Sequence, residues 1–235
     1  MARPPRRPRA TRPAKAAAAR ATTPPSRAQL AIVAAVAVIA VVAVILIGNS
    51  TQNTAQPPPA ASGIRVSGNV MGEPNAPVTV EEWADLQCPA CREFALGTEP
   101  QLRTAYVATG KVRLVFHHMA FIGQESIVAG EAVECAGDVN RFWDIHDRLY
   151  ATQGGENSGT FSKSNLEKIG GDLGLGGAFN SCLESDHYQQ RVTDDTKAGQ
   201  AKGVSVTPTF FINGRKLTGV LSIDQLRAVI DPLIK

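Results

Sequence analysis

Two cysteines held two residues apart, Cys88-Pro89-Ala90-Cys91, stand where a strand-like pattern gives way to a helical one, and this junction restricts the fold more than any other stretch of the chain. Residues 78–84 are rich in branched and aromatic side chains and read as a strand, whereas residues 91–96 read as a helix. Cys88 then sits at a helix start, where unpaired backbone N–H groups and the positive end of the macrodipole favour an anion. A thiol there gains thiolate character. Pro89 suits the first helical turn, which needs no amide donor. By spacing alone the pair can be a dithiol redox centre, half of a zinc site, a structural staple or a coincidence.

The N-terminal part decides the compartment. Residues 1–29 hold seven Arg, one Lys and no acid among many Pro and Ala, a composition expected to give a disordered basic tail. Residues 30–47 are 18 consecutive Ala, Val, Ile and Leu residues, long enough for a single transmembrane helix. The basic flank precedes this run, so the positive-inside rule puts the tail in the cytoplasm and the rest of the chain outside the cell membrane. A cleaved secretory signal would export the same part. Its apolar region is usually about 7 to 15 residues, however, and no clear Ala-x-Ala site follows Ile47, which favours an uncleaved signal-anchor. In either case the cysteines lie where disulfides persist. Removing the eight basic residues of the tail from the net charge of +3 leaves −5 for the remainder, so the basic balance is no argument for nucleic acid. A basic arm beside a membrane fixes topology and touches anionic head groups.

Residues 48–62, with Pro57-Pro58-Pro59 in their midst, read as a semi-rigid linker. Residues 63–235 are enough for one domain with its own core, and no internal repeat is visible. Within it the patterns predict a strand over 78–84, a helix from Cys88 towards Thr109 that Glu99-Pro100 should kink or restart, and a strand over 111–117. That is a βαβ unit. Helical patterns follow over 125–152, 163–173 and 177–202, broken by Gly154-Gly155 and Gly170-Gly171. Strands return over 209–212 and 215–220, and the Asn213-Gly214 pair between them signals a type I′ hairpin. Ser222 can cap a last amphipathic helix over 223–234, with Ile223, Leu226, Val229, Ile230 and Leu233 on one face.

This order resembles the thioredoxin fold with an inserted helical domain, as in the DsbA family. The segment VTVEEWADLQCPAC, residues 78–91, is similar to that family's strand and active-site helix start, and GVSVTPTFFING, residues 203–214, to its cis-proline segment. The resemblance spans about residues 65–235 and implies a thioredoxin-like α/β fold with an α-helical insertion over about 122–202. It implies a cis Thr207-Pro208 bond beside the cysteines; taken without that context, the alternative is an ordinary trans proline opening a strand. A proline there cannot donate a hydrogen bond, which leaves an open strand edge near Cys88 for a substrate peptide. Glu82, six residues before Cys88, matches the acid that the family keeps beneath the disulfide, with a role in proton transfer to or from Cys91. The alternative is a surface carboxylate on an edge strand, as adjacent Glu81 suggests.

Cys135 and Cys182 fall in two of the helical stretches, and an exported domain with four cysteines pairs them most simply as 88 with 91 and 135 with 182. The latter bond would be structural; two free buried thiols are the alternative. A four-cysteine zinc site would need a second closely spaced pair, so no metal is expected. His117 and His118 end a strand without an acidic partner in sequence and read as packing and surface, and His146 and His187 lie singly on helices. Trp83, Phe94, Phe116, Phe210 and Phe211 read as core rather than a cofactor box, and no cofactor is expected. Asp85 could tune the thiol or cap the turn.

The function expected is a thiol:disulfide oxidoreductase that introduces disulfides into exported proteins, with Cys88 as the exposed nucleophile and Cys91 as the resolving thiol. By resemblance it would be reoxidised by a quinone-linked membrane protein of the DsbB or vitamin K epoxide reductase type, and a monomer is expected. Ala90 stands where the best-known oxidase pattern has His, so a cationic stabiliser of the thiolate is missing and the direction of flow stays open. A disulfide isomerase or reductase on the same fold, and a membrane-tethered binding module whose CxxC is only a staple, are the alternatives. Such a staple closes so small a ring that it gains little entropy.

Overall fold

The computed structural model describes residues 63–234. The expected tail, membrane span and linker lie outside the described residues, among which no helix is long and apolar enough to cross a membrane. The elements run β1 (Val66–Ser67), β2 (Val70–Met71), β3 (Val78–Ala84), α1 (Pro89–Gly97), α2 (Glu99–Leu102), a π-helical turn (Arg103–Val107) and β4 (Val112–His118). Then come α3 (Gln124–Gly137), α4 (Phe142–Thr152), α5 (Lys163–Asp172), α6 (Gly176–Glu184) and α7 (Gln189–Ala201), followed by β5 (Thr209–Ile212), β6 (Arg215–Thr218), α8 (Ile223–Ile230) and a closing 3₁₀ turn.

The sheet has the order β1-β2-β4-β3-β5-β6. β3 and β4 run parallel with Glu82 opposite Phe116, and β5 lies antiparallel on the other side of β3 with Phe210 opposite Glu82. β3 is therefore central: Val78, Val80, Glu82 and Ala84 on one face are all buried, while on the other face Thr79 and Glu81 are half-buried and Trp83 is buried. β4 alternates strictly, with Val112, Leu114 and Phe116 buried against half-buried Arg113, Val115 and His117, the period-2 signature of a pleated strand. Phe94 of α1 packs on Phe210 of β5 with ring centroids 4.6 Å apart, which seats the active-site helix on the sheet.

Several elements differ from the sequence expectation. The short hairpin β1-β2, which pairs onto β4, is too short to carry a periodic signal. The interruption expected at Glu99-Pro100 is present: the helix from the cysteines ends at Gly97 and restarts at Glu99, because Pro100 offers no N–H to continue the ladder. Its continuation is a π turn in which Ala108 N–H donates to Arg103 O at 2.8 Å. The pattern over 125–152 is two helices, parted where Asn140 takes φ +58°, and the pattern over 177–202 is two, parted where Asp186 takes φ +51°. Asn and Asp enter the left-handed region at little cost, so the chain can turn sharply there while the apolar period resumes beyond. β6 stops at Thr218, before the left-handed Gly219 at φ +84°. The last α-helix stops at Ile230, with Pro232 in the turn beyond it.

Other local signals hold. Asn213 and Gly214 both have positive φ, +45° and +86°, as a type I′ turn demands. Ser222 accepts from Gln225 N–H while the Gln225 side chain accepts from Ser222 N–H, a reciprocal capping box. Cys135 and Cys182 are joined in a disulfide with Cα atoms 5.8 Å apart, tying α3 to α6.

Candidate active site

Cys88 is the N-cap of α1 in extended conformation, and its carbonyl accepts the first helical bond from Arg92 N–H at 3.0 Å. Pro89 is the first helical residue, and half-buried Ala90 packs against the core. Both Cys88 and Cys91 are free thiols. Cys88 is only 9% exposed, in contrast to the exposed nucleophile expected, because the segment before Pro208 lies against it: the thiol is 3.7 Å from the Thr207 carbonyl, to which it donates. The Thr207-Pro208 bond is cis. Cys91 is wholly buried. A hydrogen bond from the Cys91 thiol, against the opposing push of burial, brings the Cys88 pKa down to about 6, with Thr207 and the amides of Cys91 and Ala90 adding to the effect. Burial above all pushes the Cys91 thiol well up, and the adjacent Cys88 adds to that. One sulfur is thus a thiolate at neutral pH, and the other is a poor one.

Asp85 caps the turn. It is 1% exposed, its carbonyl accepts from Cys88 N–H at 3.0 Å, and its carboxylate accepts four hydrogen bonds. Gln87 N–H (2.8 Å) and the Ser126 hydroxyl (2.7 Å) donate to Oδ1. Phe121 and Ile122 N–H donate to Oδ2 at 3.0 and 3.1 Å. The helical insertion closes further on the same turn. Gln153 Nε2 donates to the carbonyls of Leu86 and Cys88, Arg92 Nε to Tyr150 O, and Gln87 Nε2 to Ser126 Oγ. Sequence reasoning passed over Gln87, Arg92, Tyr150 and Gln153. Only the proximity of Gln87 and Arg92 to the cysteines could have singled any of them out.

Strand parity separates the two acids of β3. Glu82 shares a face with Val78 and Val80 and is fully buried, whereas Glu81 points the other way and pairs with Lys202 at 2.8 Å. Glu82 is therefore no edge-strand surface carboxylate. Both of its oxygens lack a hydrogen-bond partner, and burial, with Glu99 and Asp147 nearby, pushes its pKa well up, Arg103 opposing. Were it ionised, it would disfavour a negative charge on Cys91 and on the buried Tyr150 hydroxyl, whose pKa is also pushed well up, chiefly by burial.

The remaining residues singled out from sequence stand apart from the thiols. His117 stacks on Trp83 with centroids 4.2 Å apart and contacts Asp195, and buried His118 contacts Glu134 at 3.0 Å. Glu99, His146 and Asp147 bring ligand-type atoms within 4.8 Å of one another, but the cation between the two carboxylates is the Arg103 guanidinium.

A thiolate-prone sulfur at a helix start, a buried second thiol and a cis-proline segment against them define a dithiol protein of thioredoxin fold, able to exchange a disulfide with another protein's thiols. The sequence profile of the family described as Thioredoxin matches residues 65–232. Probable disulfide bond formation protein D of Bacillus anthracis is 30% identical over 176 residues, covering 70% of this chain and 77% of that protein. The Na(+)/H(+) antiporter NhaA 1 of Salinispora arenicola is 34% identical over 173 residues, 69% of this chain, but the match spans only 24% of the antiporter. The crystal structure of oxidised BdbD from Bacillus subtilis superposes with a TM-score of 0.66 at 24% identity, covering 72% of this chain and 93% of that one, and shares the fold. The chain belongs to the DsbA-like thiol:disulfide oxidoreductases of the thioredoxin family.

Proposed function

We propose that this oxidoreductase works as an oxidase, introducing disulfides into exported proteins from a membrane anchor formed by residues 30–47. The observation that carries the direction is the asymmetry of the two thiols. A Cys88 pKa of about 6 stabilises the reduced form as a thiolate, and a stabilised reduced form makes the disulfide form oxidising. Even with Ala90 in place of a cationic neighbour, the Cys88 thiolate is held by Cys91, Thr207 and two backbone amides.

In the oxidised protein, a substrate thiolate attacks Cys88 Sγ. A substrate–Cys88 disulfide forms, the Cys88–Cys91 bond breaks, and the electron pair leaves on Cys91 Sγ, which takes a proton from Glu82. A second substrate thiolate then attacks the substrate sulfur of the mixed disulfide and releases Cys88 as a thiolate. The substrate loses two electrons and the protein gains them. Val206, 49% exposed just before Thr207-Pro208, and that segment's open edge would hold the substrate backbone by strand addition. A quinone-linked membrane partner of the DsbB or vitamin K epoxide reductase type would take the electrons onward, with the enzyme as a monomer.

Equilibrating the full-length protein with glutathione tests the direction. A potential above about −200 mV is expected, in the range of protein oxidants and isomerases, and a value near −270 mV, about that of thioredoxin, would overturn the oxidase reading.

A further inference from the structure

The interior holds a group of charges for which the exchange steps have no use. Arg103, 4% exposed on the π turn, donates from Nε and Nη2 to Glu99 Oε1 at 2.8 and 2.5 Å, and from Nη1 and Nη2 to Asp147 Oδ2 and Oδ1 at 2.6 and 2.7 Å. Glu99 is wholly buried and Asp147 nearly so. Buried His146 places Nδ1 2.8 Å from the same Asp147 Oδ1. Glu99 Oε2 and His146 Nε2 have no hydrogen-bond partner, as is true of both Glu82 oxygens. Two carboxylates thus share one guanidinium in a region closed to water. A buried ion pair seldom stabilises a fold over well-packed apolar residues, so its retention calls for another reason.

We propose that Glu99, Arg103 and Asp147 are positioning residues for the proton of Glu82: by setting two carboxylates against one guanidinium, the cluster keeps Glu82 the neutral acid that protonates Cys91 as the disulfide opens. This rests on the oxidoreductase reading above. Glu99 on α2 and Asp147 on α4 favour the proton on Glu82, and Cys91 on α1 joins them as the disulfide opens; Arg103 is the cation that opposes them, and the Tyr150 hydroxyl on α4, pushed well up by burial, is neutral. The cross-strand neighbours Phe116 and Phe210 carry no charge. Glu99 and Asp147 raise the Glu82 pKa and Arg103 lowers it, so the cluster tunes the acid in both directions. Asp147 is itself held low: burial pushes it up, but His146 and Arg103 outweigh that. It remains an anion where a lone buried carboxyl would not.

The pH dependence of disulfide opening in the full-length oxidised protein tests this, using a small-molecule thiol and rate constants expressed per thiolate. The wild-type rate should fall above a break that marks loss of the Glu82 proton, and Glu82→Gln should abolish the break. Glu99→Gln and Asp147→Asn each remove one negative charge while keeping an acceptor for Arg103. Each should move the break down by on the order of one pH unit. Arg103→Lys, which keeps the cation, should leave it within a few tenths. A break unmoved in both amide variants, or one that survives Glu82→Gln, would overturn the proposal. Damage to packing alone would change the rate at every pH without moving the break. A wild-type protein that opens no disulfide would instead refute the oxidoreductase reading.

Discussion

Cys88 and Cys91 differ by what touches them, although only two residues of chain separate them. As a thiolate, Cys88 is held by Cys91, the Thr207 side chain and helix-start amides, whereas Cys91 has the interior around it. Alkylation of the reduced protein by iodoacetamide, followed against pH, should therefore titrate with a midpoint of about 6, and a midpoint above 8 would mean that the helix start does not hold the thiolate. Because this pKa is depressed on folding, it contributes stability to the reduced protein above the ordinary thiol range, and that contribution is lost as pH falls through about 6. At this scale the sequence was readable where chemistry is local, as in the CxxC spacing and Pro89. The distinction between Glu81 and Glu82 was also there to be read, since a strand alternates and Glu82 falls in step with Val78 and Val80. Asp85 was not, because Ser126, which bonds its carboxylate, lies 41 residues away along the chain.

Elements declared themselves by their ends. Asn213-Gly214 and Ser222 carry turn and cap chemistry in their own side chains, and both are where the pattern put them. Asn140 and Asp186 escaped notice because the apolar period runs on either side of them. Close approach between elements was equally hidden. α7 crosses the sheet at Gly199, where an added Cβ would lie 2.6 Å from Trp83 Cε3 and 2.9 Å from Met119 Sδ. The Trp83 ring cannot give way, being 1% exposed and stacked on His117. Gly199→Ala should gain up to about 1 kcal/mol of helix propensity but lose about 1 to 3 kcal/mol to overpacking, for a net destabilisation. A lowered urea midpoint is the expected outcome, and an unchanged or raised one would show that α7 can lift off the ring.

Over the whole molecule, the insertion carries one ionisable group that does not match its surroundings. Glu131 on α3 is buried with both oxygens unpartnered, and burial, with Asp186 adding and Lys163 opposing, raises its pKa to about 7. A carboxyl whose pKa rises on folding stabilises the fold below its ordinary value, and this is lost as pH climbs through about 7. The protein should melt lower at pH 8 than at pH 5.5, by a margin on the order of 1 kcal/mol after solvent screening, and Glu131→Gln should flatten that slope. An unchanged slope in the variant would assign it to other groups. The Cys135–Cys182 bond, closing a separation of 47 residues, works in the same region and contributes on the order of 4 kcal/mol in the chain-entropy model.

The clasp of Asp85, Gln87, Arg92 and Gln153 across the reactive turn has an architectural consequence. In a bare thioredoxin core the CxxC loop would be a feature of the sheet and its first helix, and the insertion would be an ornament that could be cut out between β4 and β5. Here the ornament supplies Ser126, Gln153 and the carbonyl of Tyr150 to the loop itself. Transplanting Cys-Pro-Ala-Cys alone onto another scaffold would carry over the spelling of the motif without the hand that holds it.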